Sequence, residues 1–148
     1  MSARETAIAA LHARLQAGLA ARAPAALVLR NETVPQRLPP GGLVVLRDGE
    51  TAEETPLLSP LAWAVEHRAE VEVTVAGATP AARAALLDAL LADIAAAIAA
   101  DRTLGGAVEW AQPGSPGFED VEVEGAAAAR AALVPVTLWF TAAGSPLS

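Results

Sequence analysis

The chain has 148 residues, 53% of them apolar and 18% charged, with no cysteine and a formal net charge of −7. That length suits one domain with a core of its own, and the missing cysteines exclude a disulfide scaffold, a thiolate metal site and a Cys nucleophile. All ten basic residues are Arg, and 17 acidic residues outnumber them, so the cationic surplus through which nucleic-acid binders displace phosphate counterions is missing.

Ser2 and Glu5 have the spacing of a capping box, which opens a helix over about Ala3–Ala21. Ile8, Leu11, Leu15 and Leu19 recur on one face of it, and Arg4, Arg14 and Arg22 fall away from that stripe. With acidic Glu5 here and no long apolar run, no signal peptide is read. Pro24 ends the helix and Ala26–Arg30 reads as a short strand. Asn31–Gly42, with three prolines and two glycines, reads as loop. Leu43–Arg47 is a compact apolar strand closed by Asp48-Gly49, and Glu50–Pro60 is expected to be a polar loop.

From Trp63 to Val75 the residues alternate strictly. Trp63, Val65, His67, Ala69, Val71, Val73 and Val75 share one face; Glu66, Arg68, Glu70, Glu72 and Thr74 share the other. Such a strand has one buried face and one charged face turned to solvent or a partner. Thr79-Pro80 then supplies an N-cap and a proline at the first helical position. The helix that follows, about Pro80–Ala100, puts Leu87, Leu90, Leu91, Ile94 and Ile98 on one stripe. Arg83, Asp88 and Asp93 within it argue against a membrane span, because central charges cost about 2.5–3.5 kcal/mol each. The expectation is a soluble intracellular protein. Glycines at 105 and 106 close the helix exit. Ala107–Gln112, Phe118–Glu124 and Ala131–Thr141 read as strands, with Pro135 placing the last at an edge or a bulge. Residues 142–148 read as a flexible tail. The fold class is therefore α+β: two helices packed on one face of a mainly antiparallel sheet, a single-domain sandwich spanning residues 1–148.

The chemical inventory is thin. His12 and His67 both fall on or near apolar phases, where a histidine is ordinarily structural. No spacing assembles three or four metal ligands, no G-x-S-x-G elbow is present, and Gly114-Ser115-Pro116-Gly117 lacks the helix and lysine of a phosphate cradle. Glu66, Glu70 and Glu72 could serve as an acid–base cluster, but a solvated strand face explains them as well. No catalytic residue, metal or cofactor is assigned. Trp63 fits the core by its phase. Trp139 shares its phase with Thr137 and Thr141, so it is either a contact anchor or a core residue whose phase is misread.

Asp101-Arg102-Thr103-Leu104-Gly105-Gly106, followed by Val108 and Trp110, carries a family likeness. So does Leu58-Ser59-Pro60-Leu61 leading into His67-Arg68-Ala69-Glu70-Val71-Glu72-Val73. Through these the chain resembles the tail-terminator proteins of long-tailed phages, closest to the versions in gene transfer agents. The likeness runs from the first helix through the last strand. It implies a hexameric ring that caps the tail tube, stops its polymerisation and joins it to the head connector, with no catalytic residue to carry over. The implied partners are further copies of the chain, the major tail protein and the head–tail connector. DNA would pass through the lumen without specific binding, and an acidic wall would repel it. The implied location is the tail or neck of a particle assembled in the bacterial cytoplasm, with no membrane partner. Residues expected at a subunit or tube interface are Glu53, Glu54, Glu66, Arg68, Glu70, Glu72 and Trp139. The alternative readings are a head–tail connector or minor tail subunit, and, in a different class, a small enzyme or ligand-binding domain with a pocket at Trp63, His67 and the second helix.

Overall fold

A computed structural model of the chain describes residues 1–34, 37–121 and 128–148. Its elements in chain order are α1 (Ala3–Arg22), β1 (Leu27–Arg30), β2 (Leu43–Leu57), β3 (Ala62–Ala76), α2 (Pro80–Ala100), β4 (Trp110–Pro113), β5 (Gly117–Val121) and β6 (Ala129–Ala143). The strands form one sheet in the order β1-β2-β3-β6-β4, with β5 also paired to β6. Among the described strands only the β1–β2 pair is parallel. Both helices lie on one face, as the two apolar stripes and the alternating strand predict.

Each helix starts where its sequence says it should. The Ser2 hydroxyl accepts from the Glu5 N–H at 3.1 Å and the Thr79 hydroxyl from the Ala82 N–H at 3.1 Å, each satisfying a donor that the helix leaves free. Leu11, Leu15 and Leu19 of α1 and Leu87, Leu90, Ile94 and Ile98 of α2 are buried against Val71, Val73, Val134, Val136 and Leu138 of the sheet. The helices also touch each other closely. A β-carbon added at Gly18 would collide with the β-carbon of Ala97, so Gly18 sets the approach of α1 to α2.

Several expectations need correction. Glu50–Leu57 is strand, not loop: β2 runs on past Asp48-Gly49 and pairs with β3 as far as Leu57↔Ala62. Two bulges, between Arg47 and Glu50 and between Thr51 and Glu53, absorb the irregular Asp-Gly and Ala residues that look like a loop in sequence. Only Leu58–Leu61 remains as the hairpin tip. Pro135 is neither at a sheet edge nor in a bulge of the β3–β6 ladder, where it faces Glu70 in unbroken register. Its carbonyl accepts from Gly114 N–H at 2.7 Å, so its nitrogen, on the same side of the strand, faces the junction between β4 and β5, where no ladder donor is required. β4 begins at Trp110, three residues later than expected. β5 ends at Val121, and Glu122–Glu124 of the expected strand lie outside the described residues. Ala142 and Ala143, placed in a tail by the sequence, are the last residues of β6. Beyond them the Ser148 carbonyl accepts from Ala3 N–H at 2.9 Å, and that of Pro146 from Arg4 Nη1 at 3.2 Å.

Candidate functional site

The face of the sheet turned away from the helices carries most of the residues expected at an interface, and no described helix covers it. Register fixes which of them meet. Glu53 of β2 stands opposite Glu66 of β3, Glu66 opposite Trp139 of β6, and Trp139 opposite Trp110 of β4. One rung along, the row is Glu50, Arg68, Thr137, Gln112. The sheet thus brings Glu53, Glu66, Arg68, Glu70, Glu72 and Trp139 to one face. Glu54 is not among them: it pairs with Val65, a residue of the helix-covered face, although it is itself exposed.

The charges on this face are unequal in their partners. Glu72 is held by Arg47 at 3.2 Å, and Arg68 sits directly across from Glu50. Glu53 and Glu66 are like charges in directly opposed positions, and among the described residues no Arg or His lies within salt-bridge distance of either. Opposed like charges destabilise a sheet. Trp139 is half-buried between Glu66 and Trp110, on the outer phase assigned from Thr137 and Thr141.

Sequence reasoning missed the other end of the row. Trp110 is 47% exposed at the β4 edge, and the Arg102 guanidinium stacks on its ring at 5.1 Å. Arg102 also donates to the Ala111 carbonyl at 3.1 Å and the Gln112 side chain at 3.2 Å, and the Trp110 indole N–H donates to the same Gln112 oxygen. The spacing of Arg102 and Trp110 gives no hint of this, because a turn of left-handed residues intervenes. Leu104, Gly105 and Gly106 all have positive φ. Asp101 fastens that turn, accepting from Thr103 N–H, Thr103 hydroxyl and Gly105 N–H at 3.1, 2.8 and 2.7 Å. The Thr103 hydroxyl leads the bonds that hold the Asp101 carboxyl below its ordinary range. The D-x-T-L-G-G element therefore closes α2 and delivers the chain to β4, with Leu104 buried as its anchor.

On the helix-covered side, the first bulge of β2 is bound by a polar network. Gly49 has φ +70°, and a β-carbon there would collide with the Arg68 carbonyl, so only glycine fits. Asp48 presents its carbonyl to buried His67, whose Nε2 must carry the proton because a carbonyl can only accept. His67 Nδ1 lies 3.3 Å from the Thr51 hydroxyl, which accepts in turn from Arg4 at 3.0 Å. Burial pushes the His67 pKa down. Arg30 ties the network to α1, bidentate to Glu5 at 2.8 and 2.9 Å and bonded to Asp48 at 2.9 Å. Its hydrogen bonds hold the carboxyls of Glu5 and Asp48 below their usual range. Both ring nitrogens of His67 are taken by protein groups, an arrangement that holds a bulge and leaves no lone pair for a ligand. His12 is half-buried, with its pKa lowered by burial and by nearby Arg30. Among the described residues no group of three His, Asp or Glu could hold a metal, and no helix is long and apolar enough to cross a membrane.

No protein-family model matches the chain, and comparison with curated proteins finds no significantly similar sequence.

Proposed function

We propose that the chain is a structural assembly protein, a ring-forming terminator of a phage-like tail that caps the tube and joins it to the head connector. The observation that carries this reading is the outer sheet face, where Glu53 and Glu66 stand opposed without a base and Trp110 is exposed at the far edge. Within a lone chain such opposed carboxylates only cost stability. A subunit that meets neighbours through that face gains a reason for them, because a partner's cation would relieve the repulsion. The likeness of Leu58–Leu61, His67–Val73 and Asp101–Trp110 to tail terminators supplies the identity of the assembly.

A ring that forms only on its template needs each pairwise contact to be weak, and polar side-chain contacts over a modest area meet that condition. Dilute protein is then monomeric, and the tube end raises the local concentration of subunits until the ring closes. Deletion of the gene is the test. The expected particles have overlong or headless tails beside capsids that still fill with DNA. Tails of normal length joined to heads would refute the assignment.

A further inference from the structure

We infer that successive copies of this chain meet head to tail, the free edge of β2 in one copy lying against the Arg102–Trp110 edge of the next. The inference rests on the ring-forming reading and specifies its joint. β1 pairs only with Leu43–Leu46 and the Asn31 side chain accepts from Asp48 N–H, so beyond Asp48 no described strand pairs with the outer side of β2. This free stretch carries Glu50, Glu53 and Glu54, all exposed. At the opposite edge of the sheet, on the same two transverse rows and the same face, stand Trp110 with Arg102 stacked on it, and Gln112. Copies set side by side with their outer faces aligned therefore bring Glu53 level with Arg102 and Glu50 level with Gln112. The neighbouring carboxylates do not cancel the cation: Asp101 is occupied by the N–H groups of its own turn, and Glu109 accepts from the Thr141 hydroxyl at 3.0 Å. The Arg102 of one copy would supply the base that the Glu53–Glu66 pair of the next lacks.

Both edges are built against forming a continuous backbone ladder. Pro56 and two bulges interrupt β2, and Arg102 occupies the Ala111 carbonyl. Contact is thus left to side chains, which keeps it weak and separable. The two surfaces differ and lie on opposite edges, so the contact is heterologous, the type that generates rings when the rotation closes.

The absence of native cysteine makes crosslinking a clean test. Glu53→Cys and Arg102→Cys, each in the full chain and checked for folding by circular dichroism, are treated with a short bismaleimide at high protein concentration. Each variant alone should stay near background, their equal mixture should yield a dimer and nothing larger, and the double variant should yield a ladder. Glu50→Cys with Gln112→Cys repeats the test one rung along and keeps the Arg102 guanidinium, with its stacking on Trp110 and its bond to the Ala111 carbonyl, in place. Single variants that crosslink with themselves as strongly as the mixture would overturn the head-to-tail joint. So would a mixture without dimer at both rungs. If sedimentation of the unmodified protein, or its binding to tail tubes, still shows rings in that case, the terminator reading survives and only this joint falls.

Discussion

At the scale of single residues, the bulge at Asp48-Gly49 is where local chemistry governs most. His67 is buried with Nε2–H on the Asp48 carbonyl and Nδ1 facing a hydroxyl that already accepts from Arg4. A second proton on that ring would put a cation in a buried site beside Arg4, which is why its pKa is depressed. A histidine whose folded pKa lies below its unfolded value of about 6.5 contributes stability that is whole above that value. The contribution falls as the pH drops through it toward the folded pKa. Glu5 and Asp48, held down by Arg30, lose theirs only at more acid pH, through their own depressed values. Urea midpoints should therefore decline in two stages on acidification. In His67→Gln the first stage should shrink to what half-buried His12 contributes, with the acid stage intact. An unchanged first stage would remove His67 from the account.

At the scale of elements, the sequence disclosed what periodicity can encode and hid what register decides. Both helices and β3 were legible because Leu and Ile recur at helical spacing and because Val and Glu alternate over a long run. The distal half of β2 was not: Thr-Ala-Glu-Glu-Thr-Pro has little strand propensity, and its conformation is imposed by the ladder that β3 offers. Length was the neglected signal, since a strand as long as β3 needs partners along its whole length. The charged residues of the site were legible as a face, but the Arg102–Trp110 end was not, because it depends on a turn that only the three-dimensional chain closes. Contact between α1 and α2 was equally hidden, because a glycine among alanines leaves no mark on the apolar stripe. Gly18→Ala should lower stability by up to about 2 kcal/mol. Overpacking costs about 1–3 kcal/mol, and better helix propensity returns about 1. Combined with Ala97→Gly, which removes the colliding carbon, the double variant should lose about 1 kcal/mol less than the sum of the two single losses in chemical denaturation. Additivity would show that the helices separate freely at this point.

At the scale of the molecule, charge decides what the protein meets without specificity. A surplus of seven negative charges opposes the release of phosphate counterions on which nucleic-acid binding draws. Of the ten arginines, Arg30 and Arg47 are already bound to carboxylates and Arg102 to an aromatic edge. Titration with linear duplex DNA near physiological salt should show no binding below micromolar concentration. A tight complex that weakens steeply with salt would require a basic surface absent from the described residues.

The β3–β6 ladder has a consequence for how the chain is made. Its partners are about 50 to 80 residues apart in sequence, with α2, β4 and β5 between them. During synthesis at about 5–20 residues per second, β3 must wait several seconds for β6 to emerge. In that interval β2 shields one of its edges and the adjacent α2 can cover its apolar face, but the other edge stays open. Topology of this kind slows folding and exposes an edge to other nascent chains. Chains that stop before β6 would keep that edge for good, so the final strand, more than any single core residue, separates a protein that folds from one that aggregates.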